Sequence, residues 1–298
     1  MMRWNKKSKG SAGREVIEIF LAPRATVRAA PRNNSITIQP GLGASVRITT
    51  ASHTDQGTRE YQQDALFVSG PVDAAQCEPV KVIGVLCDGM GGMQSGGQAS
   101  SLAVEEMRKE LITLSDNQDI SVFFITTIKK LDAMMTKRFG EGISGTTMAA
   151  VIILGNRLYW GSVGDSRVYL LRRQEIAQVT RDHNYYLQLK EEVAKGKLTL
   201  EEADAHPKKE ALISFIGSGR IELIDANTEP FQLIDDDIVL LCSDGLTRSL
   251  TDEEIRKHVF SHADNLKEAA VSLIRKAVDI DMGPKDNTSA ILIQYQEK

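Results

Sequence analysis

Cysteine is scarce in this chain: Cys77, Cys87 and Cys242 stand alone, with no two at the spacing of a metal-binding pair. That excludes a disulfide framework and a thiolate zinc site. Cys87 and Cys242 fall inside apolar runs, where cysteine serves as a small buried hydrophobe. Such usage fits a reducing, cytoplasmic compartment. Long apolar runs are missing too, and none approaches the ~20 residues that span a bilayer. No secretory signal is legible, because Glu15 and Glu18 interrupt the one early apolar stretch. There is no basic excess: the formal net charge of −4 gives no reason to expect a nucleic-acid partner. What remains, 42% hydrophobic and 26% charged residues over 298 positions, is the composition of an ordinary globular chain with one large domain or two small ones.

The segment Met1–Asn34 departs from this balance, with eight Lys or Arg against two Glu. It reads either as a docking arm for an acidic partner or anionic surface, or as a disordered tail. From residue 35 onward the pattern is that of a folded domain. Ile36–Ile38 and Val46–Thr49 alternate apolar and polar as half-buried strands do, with a turn at Gly41–Gly43.

The chain is organised around Val82–Gly92, an apolar run of strand length that ends on Asp88 and then on Gly89, Gly91 and Gly92. A carboxylate at a buried strand end, beside backbone that glycine leaves open, suits a hard divalent cation. Taken alone the stretch fits an ordinary strand and turn equally well. The same design recurs, however, at Ile238–Gly245 with Asp244 and at Leu158–Arg167 with Asp165. Asp64 precedes the run Ala65–Val68, and Asp286 precedes Thr288–Ile293. Five carboxylates at strand edges exceed what turns require, and like charges brought together call for cations among them.

Helices are expected at Gln98–Leu114, Ser121–Met135 and, most clearly, Leu266–Val278, from apolar residues at helical spacing. Thr251 followed by Glu254 reads as a helix N-cap with its acid. Met148–Leu154 is a fully buried strand, turned at Gly155–Asn156 into the Trp160 strand. Residues 182–219 read as polar and helical, and Asp235–Asp237 as a charged, solvated turn. Hairpin-like strands with helix pairs between them argue for an α+β fold.

The short motifs Arg59–Asp64, Asp88–Gly92, Ser144–Thr147, Gly164–Arg167, Ser243–Gly245 and Asp286–Asn287 follow one another in the order seen in the metal-dependent protein phosphatases of type 2C, and the chain resembles that family from Arg47 to Tyr295. Thr180–His183 and His206–Pro207 resemble its bacterial branch. The resemblance implies a four-layer α-β-β-α sandwich, two antiparallel sheets flanked by helices, with a flap subdomain at about 182–219 of a catalytic domain spanning 35–298. It further implies a serine/threonine phosphatase using two Mg²⁺ or Mn²⁺ ions. Asp88 would bridge both ions and the Gly89 carbonyl would bind one. Asp64 would stand beside the first, Asp244 and Asp286 would hold the other, and Asp165 would bind a third, weaker ion. A hydroxide between the two ions would attack phosphorus, so no nucleophilic side chain is needed. Arg59 would clamp the phosphoryl oxygens with its planar fork. The expected partners are phosphoserine and phosphothreonine proteins and a cognate kinase.

Met90 is a departure, since many relatives carry at that position a histidine assigned to protonate the leaving group. Methionine cannot, which leaves a metal-bound water or a flap residue such as His183. Gln62 and Gln63 replace the commoner Asn and acid or Gln. The alternative to an active enzyme is a pseudophosphatase that keeps the fold as a metal-dependent binding or regulatory module.

Overall fold

The structure, a computed structural model, describes residues 45–74, 80–91, 95–115, 118–280 and 283–298. The basic segment 1–34, the strand at 36–38, the turn at 41–43, Cys77 and Gly92 lie outside the described residues.

The chain opens with β1 (Val46–Asp55), β2 (Asp64–Val68), β3 (Val72–Ala74) and β4 (Lys81–Gly91), then α1 (Ser95–Thr113) and α2 (Ile120–Phe139). β5 (Ser144–Thr146), β6 (Met148–Leu154), β7 (Arg157–Val163), β8 (Arg167–Arg172) and β9 (Glu175–Gln178) follow, with β6–β7 and β8–β9 as hairpins in different sheets. Next come α3 (Tyr185–Ala194), α4 (Leu200–Asp204), β10 (Asp225–Ala226), β11 (Phe231–Gln232) and β12 (Asp237–Cys242). The last elements are α5 (Asp244–Ser249), α6 (Asp252–Ser261), α7 (Leu266–Asp279) and β13 (Thr288–Glu297).

One sheet runs β3-β1-β13-β12-β8-β9, the other β10-β7-β6-β4-β2 with β5 and β11 at its margins, and their strand pairs are antiparallel. The two-residue period of a strand sorts their side chains into layers. In β4, Val82 and Leu86 face the other sheet and meet Val239, Leu241, Ile291 and Ile293. Ile83, Val85 and Cys87 face outward against α1 and α2. In β12 the outward residues Ile238, Leu240 and Cys242 pack against α5, α6 and α7. The result is the four-layer sandwich that the resemblance implied, with three apolar interfaces in place of one. No helix among the described residues is long and apolar enough to cross a membrane.

The helices begin where local chemistry starts them. Thr251 accepts from the Glu254 amide while the Glu254 carboxylate accepts from the Thr251 amide, a reciprocal cap that opens α6. Asp119 does the same work for α2 by accepting from Ser121 and Val122. One expectation is corrected here. Asp237 is not a solvated turn residue: it is 1% exposed and accepts from Arg172 Nε at 2.8 Å and Nη2 at 2.5 Å. It also accepts from the Ile234 amide at 2.8 Å, so it closes the turn that looked merely charged.

Candidate metal centre

The period that layers the core also aims the acids. Residues 82, 84 and 86 of β4 face the other sheet, so 88 does as well. In β2 Leu66 and Val68 pack into the inter-sheet core, so Asp64 points the same way. Asp64 and Asp88 are register partners across the β2–β4 ladder, two like charges side by side at the rim of the gap between sheets. Asp165 sits in the β7–β8 turn, Asp244 is the first residue of α5, and Asp286 lies two residues before β13. Asp88, Gly89, Asp165, Asp244, Asp286 and Arg59 line one cleft of about 340 Å³. Asp64 is buried beside it and does not line it.

Each acid is fastened by neighbours that the motifs supply. The Asp88 amide donates to Thr147 Oγ1 at 3.0 Å, while its carbonyl accepts from Thr146 Oγ1 at 2.8 Å and the Thr147 amide at 2.9 Å. Ser243 Oγ donates to Asp64 Oδ2 at 2.7 Å, tying the end of one sheet to the start of a strand in the other. Gln62 Oε1 accepts from the Asp64 amide at 2.9 Å, so the substituted Gln62 still braces its neighbour. Asn287 is buried and staples the loop that carries Arg59. Its Oδ1 accepts from the Gln63 amide at 2.8 Å, and its Nδ2 donates to the carbonyls of Gln56 and Tyr61 at 2.9 and 3.1 Å.

The glycine of each Asp-Gly pair is required by what leans on it. A Cβ at Gly89 would stand 2.1 Å from the Gly96 carbonyl oxygen at the start of α1. At Gly245 it would stand 2.2 Å from the Asn287 carbonyl oxygen. Backbone therefore packs directly behind both acids.

Burial, then mutual repulsion, governs their charge. Burial pushes Asp64 up from 3.8 to about 6 against hydrogen bonds from Ser289 and Ser243, with Asp244 and Asp286 adding to the rise. Burial and the charges of Asp244 and Asp182 push Asp165 up to about 7. Asp88 stands well above the ordinary carboxylate range through burial and the charges of Asp64, Asp244, Asp165 and Asp286. Asp244 is raised by burial, opposed by Arg248.

Two guanidinium groups meet this acidity. Arg59 Nη2 lies 2.8 Å from Asp286 Oδ2. Arg248, which the sequence reading passed over, reaches Asp244 Oδ2 at 2.6 Å and Asp286 Oδ2 at 3.4 Å. Its only local signal was its place four residues after Asp244. Among the described residues no three His, Cys, Asp or Glu side chains stand as a finished ligand cage. The donor set nonetheless fits hard cations. Asp64 Oδ1 and Asp244 Oδ1 are buried with no hydrogen-bond partner, an expensive state for a carboxylate oxygen and the state that an oxygen-seeking ion relieves.

The two histidines of the 182–219 segment, His183 and His206, do not line the cleft. His183 is fully buried; its Nδ1 accepts from the Gly164 amide at 3.2 Å, and its amide donates to the Gly164 carbonyl at 2.9 Å. It clamps the turn that carries Asp165. The His206 ring packs against Tyr185, with centroids 5.1 Å apart. Arg167 tethers the same turn, through Asp182 at 2.7 Å. Met90 does line the cleft, as do Glu210 and Leu212 from the 182–219 segment. That segment is closed on itself by an antiparallel bridge from Asn184 to Leu212 and tied to β5 by one from Thr146 to Ile216.

Comparison with known proteins agrees with this geometry. A sequence model of the family described as Protein phosphatase 2C matches residues 48–192. The chain is 30% identical over 250 residues to the serine/threonine phosphatase stp of Listeria monocytogenes serotype 4b (strain F2365), across 81% of this chain and 93% of that protein. The S. agalactiae serine/threonine phosphatase superposes with a TM-score of 0.69 at 26% identity, over 83% of this chain and 98% of that one. The catalytic domain of the phosphatase PstP, solved in complex with 2 manganese ions, gives 0.64 at 25% identity, over 84% of this chain and 99% of that one. Motif order, sheet topology and relatedness over four-fifths of the chain converge, and the chain belongs to the protein phosphatase 2C family.

Proposed function

We propose that this chain is a metal-dependent protein phosphatase that hydrolyses phosphoserine and phosphothreonine, with Mg²⁺ or Mn²⁺ held at the cleft lined by Asp88, Asp165, Asp244 and Asp286 and backed by Asp64. The observation that carries the reading is the convergence of Asp64, Asp88, Asp165, Asp244 and Asp286 from both sheets, two of them with buried oxygens lacking any donor. In this reading Asp88, the Gly89 carbonyl, Asp64, Asp244 and Asp286 would hold the two ions. Asp165 would hold a third, weaker ion. Such a pair supplies Lewis acidity and an activated water for in-line attack on phosphorus.

The remaining work falls to the chain itself. Arg59 is 57% exposed and is free to turn its fork from Asp286 to two phosphoryl oxygens. The Thr146–Thr147 bonds keep the Asp88 backbone fixed while charge develops beside it. Met90 offers no proton and His183 is buried beneath the Asp165 turn, so the leaving alkoxide takes its proton from water. The segment 182–219 acts as a flap, presenting Glu210 and Leu212 to the substrate. The same reading implies phosphoprotein substrates, an opposing serine/threonine kinase and a cytoplasmic setting, with the basic Met1–Asn34 as the docking element. No observation favours the inert binding module, since each aspartate it would have lost is in place.

Hydrolysis of a phosphothreonine peptide tests this directly. Turnover with Mn²⁺ or Mg²⁺ should vanish with EDTA and in Asp88→Asn and Asp244→Asn. Turnover that survives chelation, or a wild-type chain inert with both ions, would refute it.

A further inference from the structure

Arg248 has a structural explanation at hand: it lies four residues after Asp244 on α5, and such a half-exposed helical ion pair contributes little to stability. That pairing does not account for where the rest of the guanidinium goes. Its Nη1 reaches across to Asp286 Oδ2 at 3.4 Å, the same oxygen that takes Arg59 Nη2 at 2.8 Å. Two cations from separate elements, the β1–β2 loop and α5, thus converge on one carboxylate oxygen inside the cleft. Their like charges repel, and an arrangement of this kind is stable only around concentrated negative charge. A phosphoryl dianion provides more of it than one carboxylate oxygen, and it has three acceptor oxygens to divide between two forks.

The position of Arg248 is also prepared. Asp244 Oδ2 holds Nη2 at 2.6 Å, and Glu210 Oε2 lies 3.5 Å from Nε. The guanidinium is therefore oriented by the wall of the cleft and by the 182–219 segment at once. Its side chain is 45% exposed and Arg59 is 57% exposed, so both remain open to an incoming group.

We propose that Arg248 is a second phosphate-binding residue, closing on the phosphoryl group of the substrate opposite Arg59. This rests on the phosphatase reading above and adds to it a residue that the motifs do not contain. Glu210 is then a positioning residue for Arg248, and through it the 182–219 segment is coupled to phosphate recognition.

Calorimetric titration of inorganic phosphate into the Mn²⁺-loaded full chain tests the clamp without relying on turnover. Arg248→Ala should weaken phosphate binding by about tenfold, comparably to Arg59→Ala. Arg248→Lys should recover only part of the loss, because it restores the charge and not the fork. With the phosphothreonine peptide, KM should rise more than kcat falls. The Mn²⁺ isotherm and melting temperature of Arg248→Ala should be unchanged or improved, since a cation has been taken from beside the acids. Phosphate affinity in Arg248→Ala within about twofold of wild type would overturn the proposal, as would wild-type protein that binds no phosphate. Loss of Mn²⁺ affinity in parallel with phosphate would also overturn it, making Arg248 an organiser of the aspartates. Wild-type protein that binds phosphate through Arg248 yet leaves the peptide intact would refute the phosphatase reading and leave the clamp standing.

Discussion

Removing divalent cations should make the fold less stable as pH rises, the reverse of ordinary acid denaturation. Asp64 and Asp165 have folded-state values near 6 and 7 against 3.8 for the free side chain, and both are nine-tenths buried. Between those values the folded chain holds protons that the unfolded chain has released, so stability falls with pH through this window. For Asp64 alone the difference corresponds to about 3 kcal/mol once both states are ionised. Asp165 does not simply add to it, because both groups respond to the charge of Asp244. In a domain of this size ~3 kcal/mol moves the melting temperature by roughly 6–12 °C. Thermal melts in EDTA from about pH 4, near the unfolded value, to about pH 8 should show that decline, and Asp64→Asn should flatten it. With Mn²⁺ the trend should reverse, because deprotonated carboxylates bind the ion and binding stabilises the fold. A melting temperature in EDTA that is flat or rising over this window would refute the reasoning.

Three further perturbations probe how the acids are held. Asp237→Ala removes the buried counter-charge of Arg172 and should cost about 3–5 kcal/mol in urea denaturation, whereas a solvated turn residue would cost almost nothing. Gly245→Ala places a methyl 2.2 Å from the Asn287 carbonyl oxygen. It should destabilise by about 1–3 kcal/mol and weaken Mn²⁺ binding measured by calorimetry, since Asp244 and Asp286 flank that contact. Asn287→Ala leaves the Gln63 amide and two carbonyls of the Arg59 loop without their partner. It should lower stability by about 2–4 kcal/mol and raise KM for the phosphopeptide.

What was legible from the sequence is what repeats locally. The helix expected at Leu266–Val278 is α7 at Leu266–Asp279, because six buried residues recur on one face within that span. The buried run Met148–Leu154 is β6, and the Thr251 cap opens α6. The five aspartates were legible because each stands at the edge of an apolar run, Asp88, Asp165 and Asp244 after one and Asp64 and Asp286 before one. Asp237 was misread because its partner, Arg172, lies 65 residues away and the three consecutive acids look like a turn. The turn is real, with Asp236 at φ 63°, but the third acid has already entered β12. His183 was tempting as a histidine near an acidic turn; only the packing reveals that it braces the Gly164 backbone. Arg248 was invisible for a related reason. Its i,i+4 relation to Asp244 is local, but its reach to Asp286 and Glu210 exists only in three dimensions.

The same long-range dependence explains why the acidic cleft sits where it does. Asp88 and Asp64 end strands of one sheet, whereas Asp244 and Asp286 border β12 and β13 of the other. Their separation is therefore the spacing between the sheets, set by the apolar side chains that fill the gap. Gly84 lies at the middle of that gap, and a Cβ there would stand 3.2 Å from Val151 and 3.3 Å from Ile293. A side chain at this point would press on Val151 in the same sheet and on Ile293 in the other. Beyond Leu86 and Leu241 the apolar filling stops, and Asp88, Asp64, Ser243 and Ser289 take its place in the same inward-facing rows. The acidic centre is thus a continuation of the inter-sheet core in which hydrophobic contact has been replaced by oxygen. Ser243, bonded to Asp64 in one sheet and to the Ser289 amide in its own, is the hinge between the two regimes. A change of volume at Val151 or Ile293 would accordingly be transmitted along a close-packed interface to the spacing of Asp88 and Asp244, with no ligand touched.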